Sequence, residues 1–329
     1  MTSLKRYTLS LLISFLSVGG CLYAQNDVQI SSPYFNPYGI NPAFAGMYEE
    51  LDITALIRKQ WAGLDESPTV QQINAHIPFD ILRGGIGVQV NNQTSGAERW
   101  TSARLGYAYH LKINEYTQLN IGGAIGIINS SIDGSKLRTP DGTYINGVIN
   151  HADADLPLGN VSSNGIVGDL GAFLILDRWK ASASVLGLFG NNLTFDPGLT
   201  SSFQDQRTLN VFLAYNLDLT PSIRIIPHVY AKSDFGRTQT EIHATIRYND
   251  NLIIGGGLRG YDANSLDAFI ATVGVELKNG MTLLYAYDNT LSTLNTISSG
   301  SHEFIIKYNI DTNLGKGRPP GIIYNPRNL

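Results

Sequence analysis

The sequence predicts an all-β chain that closes into a transmembrane antiparallel β-barrel of the outer membrane, of about fourteen strands and with both termini periplasmic. Three observations carry this reading. Segment after segment alternates apolar and polar residues with a period of two, an export signal opens the chain, and the connections between segments sort by length. The clearest segment runs from Arg207 to Leu219. Leu209, Val211, Leu213, Tyr215, Leu217 and Leu219 point one way, and Thr208, Asn210, Ala214, Asn216 and Asp218 the other. Successive side chains of a strand leave on opposite faces, so this pattern describes a sheet with one greasy and one wet face.

Residues 1–24 read as a signal peptide. Lys5 and Arg6 supply the positive region, Leu9 to Val18 an apolar stretch too short to cross a bilayer as a helix, and Leu22-Tyr23-Ala24 a cleavage site before Gln25. A competing reading takes Val18-Gly19-Gly20-Cys21 as a lipobox with Cys21 lipidated, but Gly19 fits that motif poorly. Cleavage after Ala24 discards the single cysteine, leaving a mature chain without disulfides or thiol chemistry. Past the signal there is no apolar run long enough for a transmembrane helix. A net charge of -4 and a pI near 5.8 lack the basic footprint of nucleic-acid binding. Tyrosine (17 residues) suits membrane interfaces, and glycine (34) suits tight turns and crowded barrel interiors.

In order, the alternation places strands at 51–61, 67–78, 85–93, 98–111, 116–130, 166–177, 178–188, 207–219, 222–232, 237–248, 251–260, 266–278, 281–289 and 300–310. Most have about the ten residues that a tilted strand needs to cross a bilayer. If the first runs outward, the even-numbered connections should be tight. They include Asp177-Arg178, Thr220-Pro221, Asn249-Asp250-Asn251 and Lys278-Asn279-Gly280, all turn formers. The longest connections, 131–165, 189–206 and 289–299, are all odd-numbered and share the other end. This phase makes 25–50 a periplasmic N-terminal segment, 51–310 the barrel and 311–329 a periplasmic C-terminal tail.

Faces follow from parity. Ile242, Ala244, Ile246 and Tyr248 should meet lipid while Gln239, Glu241, His243, Thr245 and Arg247 line the interior. Met281, Leu283, Tyr285 and Tyr287 likewise face out, with Thr282 and Asp288 opposite. Trp61, Trp179, Tyr107, Tyr109, Tyr215 and Tyr308 are candidates for the aromatic girdles, or else pack in a core.

No catalytic, cofactor-binding or metal residue emerges, and no cofactor is implied. Gly255, Gly257 and Gly260 satisfy G-x-G-x-x-G, but Tyr261 to Ser265 reads as a turn where a dinucleotide site needs a helix. These glycines, with Gly84, Gly85, Gly87, Gly122, Gly123 and Gly126, are better read as relieving crowding where the sheet curls. The histidines at 76, 110, 151, 228, 243 and 302 show no metal-ligand spacing along one element, and His76, His110 and His243 should point into the lumen. Ser301-His302-Glu303 cannot form a triad, because neighbours on a strand face opposite ways. His151 to Asp155 lacks the glycine and distal glutamate of a calcium loop and reads as a solvated loop. Arg104, Glu241 and Arg247 can tune a pore or pair with other charges and plug it.

Particular words stand at the two ends of the chain. Asn41-Pro42-Ala43-Phe44-Ala45-Gly46 precedes Arg58-Lys59-Gln60-Trp61-Ala62-Gly63, and Tyr285-Ala286-Tyr287-Asp288 precedes Gly300-Ser301-His302-Glu303-Phe304 and a tail with Asn325-Pro326-Arg327. Together these resemble the PorP/SprF family of Bacteroidetes outer-membrane proteins, from about Gln25 to the C-terminus. The resemblance implies a non-enzymatic component of the type IX secretion and gliding machinery. The partners it implies are outer-membrane lipids, the C-terminal region of a secreted adhesin, and periplasmic secretion or motility lipoproteins, with no nucleic acid. A barrel of this size is too narrow for a folded adhesin, so attachment or targeting is expected rather than conduction. The segment before strand one and the tail are the expected docking surfaces, and the long loops the expected substrate contacts. The alternative is a passive porin or small-solute transporter.

Overall fold

A computed structural model describes residues 29–311 except 49, 146, 191, 195–201, 205–206 and 263–264. The signal peptide, Cys21 and the tail beyond Asp311 lie outside the described residues. The strands are β1 (Leu51–Lys59), β2 (Thr69–Phe79), β3 (Gly84–Ser95), β4 (Glu98–Asn114), β5 (Thr117–Asp133), β6 (Asn160–Leu176) and β7 (Trp179–Leu186). They continue as β8 (Thr208–Tyr215, extended by Leu217–Thr220), β9 (Ile223–Ser233), β10 (Thr238–Tyr248), β11 (Leu252–Asp262), β12 (Ser265–Glu276), β13 (Met281–Thr290) and β14 (Ser301–Ile310). Each pairs antiparallel with its neighbours, β8 joins β7 to β9, and β1 pairs with β14 from Leu51↔Ile310 to Lys59↔His302. The result is a closed fourteen-stranded barrel, as the alternation predicts, whose wall has no open edge among the described residues, and a short two-stranded sheet, Asn192–Thr194 with Ser202–Gln204, stands in the loop between β7 and β8.

Parity holds through the wall. Along β10, Ile242 and Ile246 are exposed to the outside while Gln239, Glu241, His243 and Thr245 are buried inside. The outer face carries an apolar band that includes Ile57, Leu105, Ile125, Leu170, Leu213 and Phe304. The even-numbered connections, at 80–83, 115–116, 177–178, 221–222, 249–251 and 277–280, are all tight and share one end. The loops 134–159, 187–207 and 291–300 share the other. Of the six girdle candidates, Trp179, Tyr215, Tyr109, Tyr107 and Tyr308 stand toward the tight-turn end, with Trp179 against Tyr215 at 4.7 Å between ring centroids. Trp61 lies at the loop end.

The walls are unequal. β4, β5 and β6 each run 17 residues, well beyond what a tilted strand needs to cross a bilayer. The loop that joins β5 to β6 folds on itself. Within it, His151 is buried, its ring bonded to the Tyr144 hydroxyl and the Pro157 carbonyl, and Asp153 accepts from the Asp155 backbone N–H. The acidic run there is thus an ordered loop, and no group of three or more metal-ligating side chains occurs among the described residues.

Candidate functional site in the barrel bore

Parity alone makes the inward face polar, yet much of it is dry. Residues 29–48, part of the segment 25–50 assigned from the sequence to a periplasmic N-terminal extension, occupy the bore, where Ser31, Tyr38, Asn41, Ala43, Phe44 and Ala45 are buried. The local sequence explains the shape. Asn36-Pro37 and Asn41-Pro42 each start a short 3-10 turn, Pro37–Gly39 and Pro42–Phe44, with the Asn side chain accepting a backbone N–H and proline at the first position. Two successive turns compact the segment so that it fills the barrel's width. Gly46 then takes φ +65, and a Cβ there would lie 2.5 Å from the Gly85 Cα, so only glycine allows the chain to pass down to β1.

One half of the bore holds this plug by close approach and amide bonds. Asn41 donates through Nδ2 to the Ala172 carbonyl at 2.9 Å and the Ser182 hydroxyl at 2.7 Å, while its Oδ1 accepts from the Ala43 N–H at 2.8 Å. Asn36 bonds Gln72 at 2.6 Å and Asn74 at 2.8 Å, and Ser184 donates to the Ile40 carbonyl. Inward glycines make the room. A Cβ on Gly122 would come within 2.5 Å of the Ala43 Cα, and one on Gly171 within 1.9 Å of Asn41 Oδ1. Of the glycines assigned to sheet curling, Gly85, Gly87 and Gly122 therefore have a second task, admitting the plug.

The other half holds it by charge. Ser31 sits where β1, β11, β13 and β14 converge. Its hydroxyl donates to Asp288 at 2.6 Å and accepts from Arg58 at 2.6 Å and Arg259 at 3.1 Å, and its backbone N–H donates to Glu303 at 2.7 Å. Arg58 and Arg259 both pair with Asp288, at 2.7 and 2.6 Å, and Arg259 also pairs with Glu241 at 2.6 Å. Glu241 accepts from His243, which stacks on His228 at 5.0 Å, and His228 in turn stacks on Tyr34 of the plug at 5.2 Å. Burial, more than the neighbouring Tyr48, pushes the Tyr34 phenol up to about 12, so it stays protonated.

Residues weighed from the sequence take definite places. His76 and His110 point inward as expected, but onto the plug: His76 accepts from the Gly46 N–H, and His110 donates to the Ala45 carbonyl. Arg104, Glu241 and Arg247 all pair, with Asp169, Arg259 and Glu276. Ser301 and Glu303 face the bore while His302 lies outside against Tyr285 and Tyr287. Gly255, Gly257 and Gly260 lie within strand β11, where a Cβ on Gly257 would strike the His243 ring. Parity places Asp288 on an inward face, but that Arg58, Asp288 and Glu303 meet around Ser31 escaped the sequence. The signal available was that each belongs to one of the end motifs, which strand closure brings side by side.

Two chambers flank the plug. Toward the loop end lies a polar cavity of about 90 Å³ bordered by Asn91, Arg104, Asp169, Asn210 and Lys232. Toward the tight-turn end lies one of about 220 Å³ with aromatic walls.

Apolar outer band, closed strand ladder and filled bore define an outer-membrane β-barrel carrying an internal plug. The chain belongs to the PorP/SprF family of type IX secretion system membrane proteins, whose model spans residues 22–308. A comparison with curated proteins finds no match. Among solved structures, the Pseudomonas putida toluene transporter TodX is 11% identical with a TM-score of 0.48, covering 89% of this chain and 95% of its own. A Pseudomonas aeruginosa FadL homologue is 11% identical (TM-score 0.44; 90% and 96% covered), and the Acinetobacter baumannii outer membrane protein Omp33 is 9% identical (TM-score 0.44; 80% and 99% covered).

Proposed function

We propose that this protein is a non-enzymatic, non-conducting anchor of the type IX secretion and gliding machinery. In this reading it attaches or targets a surface adhesin through the adhesin's C-terminal region. The observation that carries it is the filled bore. A segment bonded to β2, β6, β7, β11, β13 and β14 stands where a porin keeps its water path. A barrel so occupied offers surfaces rather than a conduit, and its remaining parts are the long loops at one end and the turns and termini at the other. By the usual sorting of loop lengths, the tight-turn end is periplasmic, facing secretion or motility lipoproteins, and the long loops meet the secreted substrate.

Deleting the gene and taking a census of surface proteins tests this. Loss of one adhesin supports cargo-specific service, and loss of many supports a shared component. An unchanged surface with slowed uptake of small solutes would overturn the reading in favour of the porin alternative.

A further inference from the structure

The chamber at the tight-turn end has a chemistry that neither the plug's hold nor the anchoring reading explains. Its floor is the underside of the plug, where Tyr34, Phe35 and Pro37 remain only partly buried. The walls add Phe212, Ile253 and Leu284. Partly covered aromatic rings in the mouth of a bore are costly to leave against water and favour an apolar occupant.

The rim carries three cations and one carboxylate, that of Glu276. Lys180, second residue of β7, Arg247, penultimate in β10, and Lys307 of β14 all border the chamber at the tight-turn ends of their strands. Arg247 is paired with Glu276, and Lys307 with Asp52 at 2.5 Å. Lys180 has no carboxylate within 4.0 Å among the described residues, so the rim carries one unspent positive charge beside an aromatic floor.

We propose that this cup binds the C-terminal residue of a partner polypeptide, its apolar side chain on Tyr34 and Phe35 and its terminal carboxylate on Lys180. A chain end joins an apolar group and an anion on one residue, which is what the cup presents. The plug makes the cup blind, so a single strand can enter end first while a continuous chain would have to double back. At about 220 Å³ the cup falls below the 300 Å³ or so at which drug-sized pockets begin, room for one or two side chains and too little for a long acyl chain. The proposal rests on the anchoring reading only in taking the tight-turn end as periplasmic, which makes the partner a periplasmic polypeptide and not the substrate given to the long loops; the binding itself belongs to the cup.

The test uses the full protein in phospholipid nanodiscs with the tetrapeptide acetyl-Gly-Ser-Ile-Phe, as free acid and as C-terminal amide, measured by calorimetry. The acid should bind saturably and the amide about tenfold or more weakly, the loss of one charge-assisted contact. Lys180→Gln should abolish the difference between them, while Lys136→Gln at the loop end should preserve it. No saturable binding of the acid, equal binding of acid and amide, or an unaltered preference in Lys180→Gln would each overturn the proposal. So would displacement of the peptide by dodecanoate at lower concentration than by the peptide itself, which would make the cup an acyl site. Any of these failures leaves the surface-protein census untouched, and an unchanged census leaves the calorimetry untouched.

Discussion

The two halves of the bore grip the same segment by different means. On the side of β1, β10, β11, β13 and β14, Ser31 is held in a buried cluster of Arg58, Arg259, Asp288, Glu241 and Glu303. On the side of β2 to β7, Asn36 to Gly46 rest in a cradle of amides and glycines where backbone meets backbone. The difference concerns how each can fail. A charge cluster fails when one member is removed, because the survivors are left buried and unpaired. A cradle fails when something is added, because close packing leaves no slack.

The largest effect should therefore come from Arg58→Met. Removing one partner of a buried pair costs about 3–5 kcal/mol, against near neutrality for replacing the whole cluster with apolar groups. Hydrogen exchange at the Ser31, Gly39 and Phe44 amides should accelerate a hundredfold or more, and ion conductance across planar bilayers should rise as the plug loosens. A sealed bore with unchanged exchange would mean that the charges do not hold the plug.

Ser31→Ala sharpens the same half. It leaves Asp288 without its hydroxyl donor and both arginines short of an acceptor, a loss of about 1.5–3 kcal/mol for bonds to charged groups. The Ser31 backbone N–H keeps Glu303, so exchange should rise less than in Arg58→Met. Gly122→Val probes the cradle. Its Cβ would lie 2.5 Å from the Ala43 Cα, and overpacking of this kind costs about 1–3 kcal/mol. The acceleration should be greatest at Ala43 and Phe44 and smaller at Ser31. Equal acceleration at both would show that the plug moves as one body and that the two halves are a single device.

The wall of this barrel was legible in the sequence because its physics is periodic. β10 alternates without a break, and its observed bounds, Thr238–Tyr248, fall one residue from those expected. The plug was not legible, because nothing periodic marks it. Asn36-Pro37 and Asn41-Pro42 carry no alternation, and only their burial against Gln72, Asn74 and Ser182 shows what they cap. Inward glycines gave half a signal. Gly122 announced a crowded interior, but strand curvature and a close-packed guest require the same missing side chain. Parity put Asp288 on an inward face without revealing that it meets Arg58. They lie 230 residues apart, and only the pairing of β1 with β14 and β14 with β13 brings them together.

The smallest expected effect separates burial from charge as the cause. Lys136 and Glu66 pair at 3.0 Å at the loop end, with both side chains more than two-fifths exposed. An exposed pair contributes about 0–1 kcal/mol and is screened by salt, so Lys136→Gln should leave exchange in the plug unchanged. Raising the salt concentration should likewise spare the plug, since its charges are shielded from mobile ions by the wall and by Ser31 itself. If salt alone accelerated exchange at Ser31 as Arg58→Met does, water and ions would have to reach the cluster freely. The contrast between a dry charged grip and a close-packed cradle would then reduce to two polar contacts of the same kind.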